Sequence, residues 1–304
     1  MSFEGTGSGR TVCHQIITMS TFLNLHALCE ESSIGFPSNV MYCLADHAGM
    51  PSLHRQLVRW DVPWVSLFQG TVEQTDLSVA PLLFALPFRS CEGRERFLRW
   101  LNENGSYTSS MLLLSSPSGL DTLCSQLARR LHGRISDGME VLLRYFDPRI
   151  FESLLSVLSE QQAIEFLSPA DCWWYPNRSG QLIRRESVYG IDTFISPLKL
   201  AAAQEFAMVD ASEIDVVEGR LRIMYPDLAV RVNPAEREVF LRRHIASANA
   251  TGITSTNDVT LYCGLVILHG ECFASVSPWR EILAKAKTRS VSFSDEVLAL
   301  DDET

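Results

Sequence analysis

Lysine is nearly missing from this chain: it occurs only at Lys199, Lys285 and Lys287, although basic residues number 26 in the 304-residue sequence. Acidic residues number 36, and the formal net charge is −10. A phosphate backbone is gripped by a positive field, so this balance argues against nucleic acid as the main partner. The eight cysteines contain no C-x-x-C pair, and several sit inside apolar runs. They read as small buried hydrophobes in a reducing compartment, not as a disulfide framework. Long apolar runs are also missing. The nearest, residues 261–268, is far shorter than the roughly 20 residues a membrane span requires. The first residues lack the basic n-region and apolar h-region of a secretory signal, so a soluble cytoplasmic protein is expected. Walker loops, G-x-S-x-G, H-E-x-x-H and G-x-G-x-x-G do not occur. The run from Gly5 to Gly9 has no strand before it and reads as flexible leader.

What the chain does contain is core-forming material. Hydrophobic residues make up 46% and charged residues 20%, which is a globular composition, and the length suits two lobes. Residues 1–18 read as a leader in which 12–19 add at most a short strand, and 21–29 read as a helix. Residues 40–45 form a candidate buried strand that ends at Asp46, followed by a helix carrying Leu53, Leu57 and Trp60. Residues 64–68 are an aromatic-rich turn region. Strands are expected at 79–86 and 107–114, with helices over 93–104 and after Ser118, where Leu120, Leu123, Leu127 and Leu131 keep helical spacing.

Residues 141–146 read as a further strand, and Asp147-Pro148 as the joint to a helix. Asp147 suits an N-cap, and Pro148 suits the first helical position, where its fixed φ is already helical. Ile150, Phe151, Leu154, Leu155 and Leu158 then share one apolar face. A second reading stays open, because ligands of open α/β sheets gather at the carboxyl ends of strands, where Asp147 and Arg149 would lie. Strands alternating with helices point to an α/β lobe with a central mixed sheet flanked by helices.

Beyond Leu158 the pattern changes. Ser159 and Gln162 have the spacing of a capping box, and residues 172–186 a hairpin whose pairing Pro176 limits. Helices are expected at 197–208, 211–224, 234–248, 257–270 and 278–287, three of them opened by Ser196-Pro197, Asn233-Pro234 and Ser277-Pro278. The expected organisation is a leader and first helix (1–37), an α/β domain (38–170), a hairpin connector (171–195), a mostly α-helical lobe (196–287) and a disordered acidic tail (288–304).

No catalytic set assembles from these residues. Cys43 with Asp46 and His47, and Cys263 with His269 and Cys272, lack the paired short spacings of a zinc site. No metal and no cofactor is expected. Asp46 and Asp147 would form a carboxylate pair only if their strands were neighbours. Trp173, Trp174 and Tyr175 suit either core packing or a partner contact.

Several motifs occur in a familiar order: Tyr42-Cys-Leu-Ala-Asp46, the run from Leu57 through Pro63-Trp-Val-Ser-Leu-Phe-Gln-Gly70, Ala80-Pro-Leu-Leu83, Phe97-Leu-Arg-Trp-Leu101, and Leu143-Arg-Tyr-Phe-Asp-Pro-Arg-Ile-Phe151. As a set, over about residues 38–170, they resemble the adaptor family (Tap or TEC) of type VI secretion effector chaperones. The second half is similar to that family's more variable region only in outline. The resemblance implies a non-enzymatic chaperone of the bacterial cytoplasm that holds a toxic effector by its N-terminal region and loads it onto the VgrG spike. It implies a grip on a helical segment between two lobes, with no nucleic acid and no membrane insertion. The partner-contact candidates are then Asp46, Trp64, Arg144, Tyr145, Asp147 and Arg149, with Trp173 and Trp174 added for their aromatic surface. The competing readings are a hydrolase or nuclease using Asp46 and Asp147, and an immunity-type protein that binds a toxin.

Overall fold

The computed structural model describes residues 15–16, 25–74, 76–86, 92–105, 110–287 and 292–301. Of the expected leader, residues 1–14, including Gly5 to Gly9, and 17–18 lie outside the described residues. The chain divides into two units, Met1–Asn177 with Gln181–Glu205 and Arg178–Gly180 with Phe206–Thr304. The first is mixed α/β and the second helical, as the sequence implies.

In chain order the first unit holds β1 (Gln15–Ile16), α1 (Leu25–Gly35), β2 (Val40–Asp46), α2 (Leu53–Arg59), β3 (Trp64–Ser66), β4 (Pro81–Ala85), α3 (Glu92–Gly105) and β5 (Met111–Ser116). It continues with α4 (Leu120–Ala128), β6 (His132–Arg134), β7 (Glu140–Leu142), α5 (Pro148–Val157), α6 (Glu160–Leu167), β8 (Cys172–Pro176), β9 (Leu182–Glu186) and β10 (Leu198–Lys199). Seven strands form one sheet in the order β1-β9-β8-β5-β2-β4-β3, and β10-β6-β7 form a second. Strands β2, β4 and β5 are apolar at successive positions because both of their faces are buried. Leu44 at their centre lies in register with Leu83 on one side and Leu112 on the other, and all three are fully buried.

Three expectations about this unit change. Among the described residues, every pairing in the large sheet is antiparallel, and the parallel pairing occurs only between β10 and β6 in the small one. Buried apolar runs look alike in either orientation, so the sequence did not discriminate. The hairpin β8–β9 is no connector, since β8 pairs with β5 and extends the sheet. Of residues 141–146, only the first two belong to a strand, β7, which lies in the small sheet. From Leu143 the chain turns, closed by the Asp147 amide donating to the Arg144 carbonyl (2.9 Å). The turn lets Tyr145 and Phe146 enter the core, where the Tyr145 hydroxyl donates to the Leu127 carbonyl (2.8 Å). Asp147 therefore does not stand at the carboxyl end of a central strand.

The most demanding group in this unit is Arg130, whose side chain has no exposed surface. Its guanidinium donates to the Glu165 and Phe166 carbonyls (both 2.8 Å), to the Gln126 carbonyl (2.6 Å) and to Asp192 Oδ1 (2.7 Å). It also lies over the Phe194 ring at 4.5 Å. The Glu165 and Phe166 carbonyls belong to the last turn of α6, where no intrahelical donor remains. One side chain therefore closes α6, anchors α4 and holds the segment around Asp192.

The second unit is built from α7 (Ala202–Met224), α8 (Pro226–Ala229), α9 (Arg237–Ala250), α10 (Thr256–His269), α11 (Trp279–Lys287) and α12 (Phe293–Asp301), with α7 beginning in the first unit. Val217, Leu241, Ala248, Val259, Cys263 and Phe273 form its centre. The two helices expected at 197–208 and 211–224 are the single α7, which meets no glycine or proline before Gly219. It starts at Ala202 because Leu198 and Lys199 pair with β6. Asn233 opens a turn instead of capping a helix, its side chain accepting from the Ala235 amide, and α9 begins at Arg237. In place of the disordered acidic tail stands α12, with Phe293 buried and the Ser294 amide donating to Asp258 (3.0 Å). Residues 288–291 and 302–304 of that expected tail lie outside the described residues.

The buried pair generates a pH signature. Burial alone would raise the Asp192 carboxyl, but the Arg130 hydrogen bond and charge, the Phe194 amide and Arg129 outweigh it and hold the group below its ordinary value. A carboxyl depressed on folding stabilises the protein above its unfolded pKa, about 4, and that contribution is lost as pH falls through the folded value. Asp192→Ala, which strands a buried guanidinium, should cost roughly 3–5 kcal/mol in urea unfolding at neutral pH. Asp192→Asn should flatten the acid limb of stability against pH below about 4. Unchanged unfolding curves for both variants would contradict this role.

Candidate functional site

Five of the eight candidate residues lie around two places, the carboxyl end of β2 and the turn that enters α5. Strand β2 ends at Asp46, whose amide donates to the Ser110 carbonyl (2.9 Å). The chain then turns tightly past Gly49, where any side chain would run into Ser110. Asp46 is 6% exposed, and its Oδ1 accepts from the Ala48 amide (3.0 Å). Its Oδ2 accepts from Arg144 (2.9 Å), 98 residues later in the sequence. The Arg144 side chain is 50% exposed, and its guanidinium lies 5.7 Å from the Phe146 ring centre.

At the other end of the same turn, Asp147 is the N-cap of α5. Its Oδ1 accepts from the Arg149 amide (2.9 Å), and its two oxygens accept from Arg149 Nε (3.0 Å) and Nη2 (2.6 Å). This is the two-pronged arginine–carboxylate geometry that fixes a guanidinium plane. The Arg149 side chain is 39% exposed, against 8% for Asp147. Asp46 and Asp147 thus each sit low beside an arginine that reaches outward. The strands that precede them, β2 and β7, lie in different sheets, so the two are not carboxylates at the ends of neighbouring strands.

The arrangement can recognise polar groups. A guanidinium carries five N–H donors in a rigid fork, and a buried carboxylate behind it removes part of the ordering cost when it meets a carbonyl or carboxylate of a partner. Trp64, half-buried on the edge strand β3 and in register with Phe84, adds an aromatic surface in the same unit. Tyr145, Trp173 and Trp174, expected as partner contacts, face inward instead. Their exposures are 0%, 0% and 1%, so they are core residues with no surface to offer a partner. Trp173 and Trp174 are held there by β8, which pairs with β5, and the Trp173 indole donates to the Leu167 carbonyl (3.1 Å).

A histidine pair beside Asp46 was not foreseen. His47 Nδ1 lies 2.6 Å from the Leu77 carbonyl, which can only accept, so this nitrogen carries the proton. In the neutral ring of His47, Nε2 is then an acceptor for the His54 Nδ1–H at 3.0 Å. Burial, together with His47 and Arg55, lowers the His54 pKa below its usual value. The seven-residue separation was readable, but nothing local showed that the end of β2 would face α2. Among the described residues, no group of three or more His, Cys, Asp or Glu is arranged to hold a metal ion.

Residues 41–165 match the family model described as Domain of unknown function (DUF4123). That domain is associated with type VI secretion effector adaptors. The matched span contains the whole ordered motif series, from Tyr42 to Phe151, and the Asp46–Arg144 and Asp147–Arg149 arrangement. The hairpin β8–β9 and the helical unit lie outside it. No curated protein and no solved structure matches the chain. Among the described residues, no helix is long and apolar enough to cross a membrane.

The two carboxylates differ in what they support. Asp147→Ala removes a helix cap and should lower stability by about 1 kcal/mol or somewhat more. Arg144→Ala removes a half-exposed guanidinium from Asp46, which keeps the Ala48 amide, and should stay within about 0.5 kcal/mol. Urea denaturation of the two variants checks this, and an equal loss in both would remove the distinction between support and surface.

Proposed function

We propose that the chain is a type VI secretion effector adaptor. In this reading it is a non-enzymatic chaperone of the bacterial cytoplasm that binds a toxic effector, engages the effector's N-terminal region and delivers it to the VgrG spike. The observation that carries the reading is the DUF4123 match over residues 41–165, the span that contains the arginine-bearing turn. Arg144, Arg149 and Trp64 supply the contact surface, while Asp46 and Asp147 hold the arginines in position. Apolar contacts supply most of the affinity, and the arginines select among partners by hydrogen bonding and charge. Because the effector is stabilised by whatever binds its folded or delivery-competent form, soluble effector should rise in proportion to the adaptor present.

The experiment is co-expression of the tagged chain with the effector encoded beside it. The expected outcome is a complex that survives purification and an increase in soluble effector. Arg144→Ala combined with Arg149→Ala should weaken capture at least about tenfold, equivalent to about 1.4 kcal/mol, with the melting temperature nearly unchanged. An effector that is equally soluble alone and never co-purifies would reject the reading. So would a substrate turnover by the purified chain that disappears in Asp46→Asn or Asp147→Asn.

A further inference from the structure

The longest helix among the described residues is apolar on two sides. Helix α7 buries Ile214, Val217 and Leu221 in the core of the helical unit, yet leaves Val209, Val216 and Ile223 exposed by 61%, 46% and 82%. These three residues are spaced by sevens. On a helix turning about 100° per residue, Val209 and Ile223 fall within about 20° of Val216, along a line of about 21 Å. The three β-branched side chains form an exposed strip of apolar positions about 10.5 Å apart, with Ser212, Glu213, Gly219 and Arg220 between successive ones.

The charges beside the strip say what covers it. Glu213 and Arg220 lie three residues before and four after Val216, on the same flank, about 60° and 40° from it. Among the described residues, the ion pairs that α7 makes within the helical unit join Glu218 to Arg222 and to Arg237, and Asp215 to Arg178, and none of them uses Glu213 or Arg220. Among the described residues Glu213 has no cationic partner, and Arg220 hydrogen-bonds to the neutral amide of Asn257. One flank therefore carries an acid and a base, nearly equidistant from the middle of the strip, each lacking a charge partner.

We propose that α7 is a self-association surface, pairing antiparallel with α7 of a second copy about a twofold axis at Val216. A twofold perpendicular to the helices keeps each flank on its own side and reverses its direction. It therefore sets Val216 against its own copy, Val209 against Ile223 of the partner subunit, and Glu213 against Arg220 of the partner subunit, the last two contacts occurring twice. A parallel pair would place the Glu213 flank against the opposite flank, near Ser212 and Gly219, and form no ion pair at that height. Gly219 fits the antiparallel arrangement as well. Glycine inside a helix costs about 1 kcal/mol relative to alanine. At this position a Cβ would meet nothing within 4 Å in the chain, so internal packing does not require it. Beside the strip it permits a second helix to approach closely.

A contact this short belongs at the weak end of specific interfaces, with a dissociation constant on the order of 10 µM. The proposal is independent of the effector-binding reading and is tested without any effector. The measurement is sedimentation equilibrium of the full chain over about 1–200 µM. Wild type should show a reversible monomer–dimer equilibrium, and Val216→Glu, which places like charges on the axis, should be monomeric. Glu213→Arg and Arg220→Glu should each weaken the dimer about tenfold or more, and the two together should restore it, because the swapped pair is again complementary. Circular dichroism melting establishes that each variant is folded. A wild-type chain that remains monomeric at about 200 µM, a Val216→Glu dimer as tight as wild type, or a double variant no better than the singles would each overturn the proposal.

Discussion

One buried guanidinium constrains more of this molecule than any other group. Arg130 has no exposed side-chain surface, and its donors reach three main-chain carbonyls and the Asp192 carboxylate. An arginine in such a place is tolerable only if nearly every N–H is satisfied, since an unpaired buried charge costs several kcal/mol. That requirement ties the last turn of α6, the end of α4 and the segment around Asp192 into one arrangement. Tyr145 packs against Phe166 in the same region, with ring centres 5.3 Å apart, and its hydroxyl holds the Leu127 carbonyl. The turn that carries Arg144 and leads to Arg149 is therefore anchored from beneath by Tyr145.

This anchoring gives the candidate surface its character. Arg144 and Arg149 leave one short turn whose apolar residues are buried and whose carboxylates are occupied. Such arginines are positioned before any partner arrives, so less freedom is lost when they bind. The DUF4123 match covers this part of the chain and stops before β8. The helical unit, with its own core and its exposed strip on α7, contributes a surface that the matched domain does not contain.

Features set by neighbouring residues were legible in the sequence. The Asp147 cap with Pro148 at the first helical position is present, and so is the Ser159–Gln162 capping box. Strand β2 ends at Asp46 as its apolar run implies, and the β8–β9 hairpin forms where the turn residues place it. Features set by distant residues were not. Arg130 and Asp192 are 62 positions apart, and an arginine near a helix end ordinarily reads as a surface residue. Residues 143–146 are apolar and aromatic enough for a strand, but the core takes their side chains from a turn. His132-Gly-Arg134 and Leu198-Lys199 are too short and too polar to signal β6 and β10, so the small sheet was missed. Trp173 and Trp174 suited both burial and contact, and only the position of β8 beside β5 decided for burial. Of the candidate site, the Asp147–Arg149 half was readable because it is local. The Asp46–Arg144 half depended on a turn brought against the end of β2.

The central claim is that this chain works by gripping another polypeptide with the arginine-bearing turn of its α/β unit. Amide hydrogen exchange of the chain, alone and in complex with the effector encoded beside it, tests that claim most directly. Slower exchange in the complex over residues 143–149 and around Asp46–Gly49, with the core strands unchanged, is the predicted result. A stable complex that leaves those amides exchanging as they do in the free chain would contradict it.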